Sequence, residues 1–87
     1  MVSKTLRIDH FVRVPRLNAE IATAKDHRNK LHIYLIEEGG KIYKRNALAE
    51  SWDILSQEER YSFMDVLNHP DTASCPKYSS ETLSLLN

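Results

Sequence analysis

The run Leu31-His32-Ile33-Tyr34-Leu35-Ile36-Glu37, followed at once by Glu38-Gly39-Gly40, constrains this chain more than any other segment. Leu31, Ile33 and Leu35 alternate with His32, Tyr34 and Ile36, so both parities are largely apolar. Side chains point alternately to the two faces of a strand, and a strand apolar on both sides wants cover on both. Residues 31–37 therefore read as a central strand. Glycine reaches positive φ without steric cost, so Glu38-Gly39-Gly40 reads as a tight turn. Residues 41–45 return as a shorter strand, whose Lys41, Lys44 and Arg45 suit a protected edge.

The segments before the hairpin extend the sheet. Over 5–14, Leu6, Ile8, Val12 and Val14 share one parity with His10, while Arg7, Asp9 and Arg13 share the other with Phe11. That alternation predicts a half-buried strand, stopped by Pro15, which has no amide proton to donate. Residues 18–30 read two ways, as a short alanine-rich helix capped by Asn18 or as a strand over 20–25 turning at 26–29. Ile21 is the one large apolar side chain there, too little for a helix to bury, and this favours the strand.

From Asn46 the period changes. Leu48, Trp52 and Leu55 recur at helical spacing behind a suitable N-cap, predicting a helix over about 47–55. Continuing the same stripe would bury Glu59, whereas Ser56-Gln57-Glu58-Glu59 has the form of a capping box. A separate helix over about 57–68 follows, presenting Tyr61, Phe63, Met64, Val66 and Leu67 and ending at His69-Pro70. Residues 71–78 read as loop, and Ser79-Ser80 as the start of a short helical turn carrying Leu83, Leu85 and Leu86. The expected architecture is α+β, one domain over 1–87. It has an antiparallel sheet of three strands (5–14, 31–37, 41–45), four with 20–25, and two C-terminal helices across one face.

Equal totals of twelve basic and twelve acidic side chains conceal a segregation. Residues 1–45 hold ten Lys and Arg against five Asp and Glu, and residues 46–87 hold two against seven. Such asymmetry fits recognition of a charged partner, or attraction between the two halves on folding. No apolar run approaches the roughly 18 residues of a membrane span. The charged start through Lys4, Arg7 and Asp9 argues against a signal peptide, and the lone Cys75 excludes an internal disulfide. A cytoplasmic chain with no membrane partner is expected.

The residues offer little chemistry. Cys75 and His69 are six positions apart with no glycine-rich turn to stabilise an oxyanion, which makes an unreactive thiol the simpler reading. His10 and His32, with Asp9 and Glu37 near them in sequence, lack the spacing of a zinc site. Gly39-Gly40 precedes a strand rather than a helix, so it is no phosphate loop. No catalytic residue, cofactor or metal is expected, and the chain reads as non-enzymatic.

A surface remains. Arg7, Phe11 and Arg13 could share a sheet face with Tyr34, and with Tyr43 between Lys41 and Arg45. Cations interleaved with aromatics suit a protein interface, where Tyr and Arg are enriched, or single-stranded nucleic acid. Aromatics also favour strands for packing reasons alone. The central strand carries no glycine–aromatic signature of an RNA-binding sheet. Glu50, Asp53, Glu58, Glu59 and Asp65 form a second, acidic surface. The expectation is a small regulatory or inhibitory protein that binds a larger protein or nucleoprotein partner through the basic aromatic sheet, the acidic helices, or both. Nucleic-acid binding by the basic half is the alternative, and a homodimer through the hairpin edge or the helices is a further arrangement.

Overall fold

The computed structural model describes residues 6–79. Its strands are β1 (Arg7–Val14), β2 (Ala19–Lys25), β3 (Leu31–Glu37), β4 (Ile42–Asn46) and β5 (Ser51–Ile54), followed by α1 (Gln57–Leu67), α2 (Pro70–Ala73) and β6 (Lys77–Ser79). All six strands join one sheet in the order β5-β4-β3-β2-β1-β6. The first five form an antiparallel meander, and β6 returns to lie parallel to β1.

The α+β class, the strand at 20–25 and the helix from residue 57 agree with the sequence reading. The sheet, however, has six strands rather than three or four, because two segments are strands where a helix and a loop were expected. Residues 47–55 are not helical. Asn46 Oδ1 accepts the Ala49 amide, Glu50 takes a left-handed φ of 51°, and the chain reverses into β5 against β4. In β5 the pattern has period two, with Trp52 and Ile54 on one side and Asp53 on the other. Within the expected loop 71–78, α2 forms behind His69, whose Nδ1 accepts the Asp71 amide, and β6 follows. The short helical turn expected beyond Ser79 lies outside the described residues.

Helix α1 starts as its residues dictate. Ser56 Oγ accepts the Glu59 amide at 3.2 Å, and the Glu59 carboxylate accepts the Ser56 amide in return. Two orphan donors of the first turn are thereby satisfied, an arrangement that contributes about 0.5–2 kcal/mol. The helix lays Phe63 on the sheet, its ring stacked on Tyr34 with centroids 4.1 Å apart. The core is Ile8, Phe11, Ala22, Ala24, Tyr34, Ile42 and Phe63, with Leu55, Val66, Leu67 and Cys75 packed around it. Cys75 Sγ donates to the Ile8 carbonyl, and the Phe11 amide to the Pro76 carbonyl, so the segment leading into β6 clips onto β1.

One extra residue decides which faces β1 presents. The pairing of β1 with β2 shifts register between Ile8 and His10, so Asp9 is a β-bulge. Before it Ile8 faces the core, and after it Phe11 does; strict alternation would have put them on opposite sides. His10, Val12 and Val14 therefore lie on the face away from the helices.

The β2–β3 turn is built around Asp26. Its Oδ1 accepts the amides of Arg28 and Lys30, and its Oδ2 sits 3.0 Å from His32 Nε2. The His32 hydrogen bond, then the Lys30 amide, hold this carboxyl well below the usual carboxylate range. Its folded pKa is depressed, so the stability it contributes is fully present above the unfolded value of about 3.9 and is lost as pH falls through the folded one. Asp26→Asn should therefore lower the urea midpoint at pH 7, and its deficit against the parent protein should shrink as the pH is taken below 4. A deficit independent of pH would show that the carboxylate's charge is not what the turn uses.

Candidate functional site

The register places the helices on one face and leaves the row in the middle of the other face without helical cover among the described residues; only Ala19, next to the Pro15–Leu17 turn at one end of that side, is buried. Directly paired residues on neighbouring strands point to the same side. Following the pairs across the sheet gives one row, with a residue from every strand: Tyr78, Val12, Ile21, Leu35, Tyr43 and Ile54. None belongs to the core cluster or packs against it. Tyr78 and Ile54, at the two ends, are 44% and 61% exposed. Beside the row lie His10, Thr23 and Ile33, with the Arg45–Trp52 pair of β4 and β5. An antiparallel sheet with one wet face ordinarily puts polar side chains there; this one puts aliphatic and aromatic ones.

Charge frames the row unevenly. Arg7 and Lys25 pair across β1 and β2 at one end of the face, with Arg45 on the same side of the row. Lys25 Nζ is 3.9 Å from the bulge carboxylate of Asp9. The Arg45 guanidinium lies over the Trp52 ring, 5.5 Å from its centroid, so the exposed indole is held by a cation–π contact. At the opposite end Glu37 and Glu38 enter the β3–β4 turn, beside Lys41. Partial burial and the Glu37 carboxylate push the Tyr43 hydroxyl above its ordinary value. His10 meets Tyr78 edge-on, with ring centroids 5.9 Å apart.

Of the seven residues the sequence nominated, Arg7, Tyr43 and Arg45 lie on this face, Arg7 on β1 and the other two three strands away on β4. Phe11 and Tyr34 do not: each is 5% exposed and faces α1, so both are corrected from surface to core. The Asp9 bulge turns Phe11 inward, and Phe63 seals Tyr34, whose hydroxyl burial and Glu59 push above its ordinary value. Arg13 pairs with Glu20 on the helix side of the sheet and is exposed beyond the helices. Lys41 is exposed just ahead of β4. Trp52, Ile54 and Tyr78 were missed, because their segments had been assigned to a helix and a loop. Period-two spacing of Trp52 and Ile54 was the signal available for β5.

A groove of about 540 Å³ adjoins the face where β4 parts from the start of β3. Pairing of these strands runs from Ile36↔Ile42 to Tyr34↔Lys44 and stops, although both strands continue. Leu31, Ile33, Arg45 and Ile54 line both the groove and the open face.

The other candidates do not assemble. His10 is on the open face, whereas His32 is on the helix side against Asp26. Among the described residues no three His, Cys, Asp or Glu side chains converge as a metal site would need. Cys75 and His69 are each engaged with backbone, at Ile8 and at Asp71. Among the described residues, no helix is long and apolar enough to cross a membrane.

Folding brings the two halves of the chain together: Lys44 of β4 stands directly opposite Asp53 of β5, and Lys30, Lys44, Asp53 and Glu59 share one groove. Three ion pairs occur among the described residues, Lys25–Asp9, His32–Asp26 and His69–Asp71, and each lies within one half of the chain. No protein-family model, curated protein or solved structure matches this chain.

Proposed function

We propose that this chain is a small, non-enzymatic regulatory or inhibitory protein that docks onto a larger protein through the open face of its sheet. The observation that carries this reading is the six-residue row from Tyr78 to Ile54, continuous across every strand and uncovered by any described element. An apolar centre with Tyr, Trp and Arg around it is the composition of a protein-binding hot spot. Arg7, Lys25 and Arg45 add a cationic border that would steer an acidic partner and quicken association.

Nucleic acid fits the same face less well. Bases stack on aromatic rings, and the middle of the row, Val12, Ile21 and Leu35, is aliphatic.

Affinity capture from the native host separates these readings. The protein should retain a partner that bait carrying Ile54→Glu loses, whereas Tyr61→Glu on the outer side of α1 should retain it. Capture indifferent to Ile54→Glu would refute the face as the docking surface. Binding of a mixed-sequence single-stranded oligonucleotide that falls steeply with salt would favour nucleic acid instead.

A further inference from the structure

We infer that β5 is an open sheet edge that takes up, as an added strand, an extended segment of the partner protein in which cationic and apolar residues alternate. The inference deepens the docking reading, on which it rests, by naming the part of the partner that is recognised.

Backbone direction at β5 follows from the register. Leu55 donates its amide to the Ile42 carbonyl at 3.0 Å. Backbone groups of antiparallel partners turn toward each other at every second residue, so Asp53 and Ser51 also turn theirs to β4. Trp52 and Ile54 turn their N–H and C=O groups outward, and β5 is the last strand in the sheet order. Those groups have no strand to pair with among the described residues. Natural sheets blunt such edges with lysine, proline or a bulge. In β5 none of these is present, and Trp52, Asp53 and Ile54 are all exposed. The opposite edge strand, β6, does carry a lysine, Lys77.

Charge selects the strand that fits. Residues 47–59 hold Glu50, Asp53, Glu58 and Glu59 and no Lys or Arg. Asp53 points to the helix side of the sheet, opposite Lys44, and α1 begins on that side with Glu58 and Glu59 in its first turn. An added antiparallel strand meets Asp53 in a non-hydrogen-bonded pair, the kind in which side chains approach most closely. A Lys or Arg there continues the alternation of sign that runs from Lys44 to Asp53. On the other side, Trp52 and Ile54 favour apolar neighbours, which extend the row of the open face by one strand. A second copy of β5 fits worse, because the register that joins Trp52 to Ile54 sets two Asp53 carboxylates face to face. The cationic border does not oppose a basic strand here. Arg7 and Lys25 lie on β1 and β2, and Arg45 pairs with Trp52 on the face opposite to Asp53.

Amide shifts of the full chain in heteronuclear NMR test this with synthetic peptides. The probe is an acetylated, amidated heptapeptide that alternates lysine and valine. It should shift the Trp52 and Ile54 amides saturably, and the matching glutamate–valine peptide should not. Valines opposite Trp52 and Ile54 direct their amides at β5, whereas the lysine amides point away. N-methylation of the valines should therefore abolish the shifts, and N-methylation of the lysines should leave them. Asp53→Asn should weaken the lysine–valine peptide about two- to fivefold. Proline is tolerated on an edge where its missing amide faces solvent, so Ile54→Pro should fold and lose the peptide, whereas Ile54→Ala should keep it. Where Ile54→Pro fails to fold, the methylated peptides decide the matter on the parent protein.

Absence of shifts at Trp52 and Ile54 with the lysine–valine peptide overturns the inference, as does binding indifferent to valine methylation. Preference for the glutamate–valine peptide overturns it too. Peptide binding absent while partner capture is lost by Ile54→Glu refutes strand addition and leaves the docking reading standing. Partner capture indifferent to Ile54→Glu refutes the docking reading itself.

Discussion

Phe63→Ala should lower the stability of this protein by about 3–5 kcal/mol, measured as the loss in unfolding free energy from urea titration followed by circular dichroism. Phe63 is 2% exposed and is the large side chain that α1 drives into the sheet. Its ring lies against Tyr34 and closes the cluster formed by Ile8, Phe11, Ala22, Ala24 and Ile42. Removing it deletes the transfer free energy of a benzyl group and leaves a cavity between a helix and a sheet that cannot both relax into it. For a chain of this size the whole stability is on the order of 5–13 kcal/mol, so a large part would go. Tyr34→Phe serves as the comparison. It keeps the stacked ring and should cost less than about 1 kcal/mol. Equal losses from the two variants would mean that the Tyr34 hydroxyl, and not the packed pair, holds α1 to the sheet.

The difference between those two aromatics and the ones on the open face shows what was legible in the sequence. Periodicity located β1, β3 and β4, the double glycine located the turn between the last two, and the Ser56–Glu59 pair located the start of α1 within a residue. These features are local, and each is specified by residues within one turn or one pleat. Faces were legible only where alternation was unbroken. In β1 the Asp9 bulge adds a residue and reverses the parity behind it, so Phe11 was placed with Arg7 although they face opposite ways. In β5 the spacing of Leu48, Trp52 and Leu55 fits a helix in isolation, yet four residues gain more by pairing with β4. In β6 three residues are too few to show any period, and their partner, β1, is more than sixty positions away. The apolar character of both parities of β3 had pointed to cover on both faces. Only the α1 side is covered among the described residues, and that mismatch is the physical reason to look for an occupant.

Ala22→Leu tests the same division of faces from the opposite direction, by adding volume. In the register, Ala22 stands between Phe11 on β1 and Tyr34 on β3, and it is 0% exposed. A methyl between two rings lets both pack against Phe63, whereas an isobutyl group must displace at least one of them. Overpacking of this kind costs about 1–3 kcal/mol, occasionally more. The next residue, Thr23, points to the open face between His10 and Ile33. Thr23→Leu adds comparable apolar volume where no described element stands above it, and should change stability by less than about 0.5 kcal/mol in the monomer. Urea midpoints at a concentration that keeps the chain monomeric give both values, and the expected order is a large loss at 22 and little at 23. The reverse order would place the packed layer on the other side of β2. Val12, Ile21 and Leu35 would then be core and no docking face would remain, whereas the expected order leaves the row from Tyr78 to Ile54 free to bind.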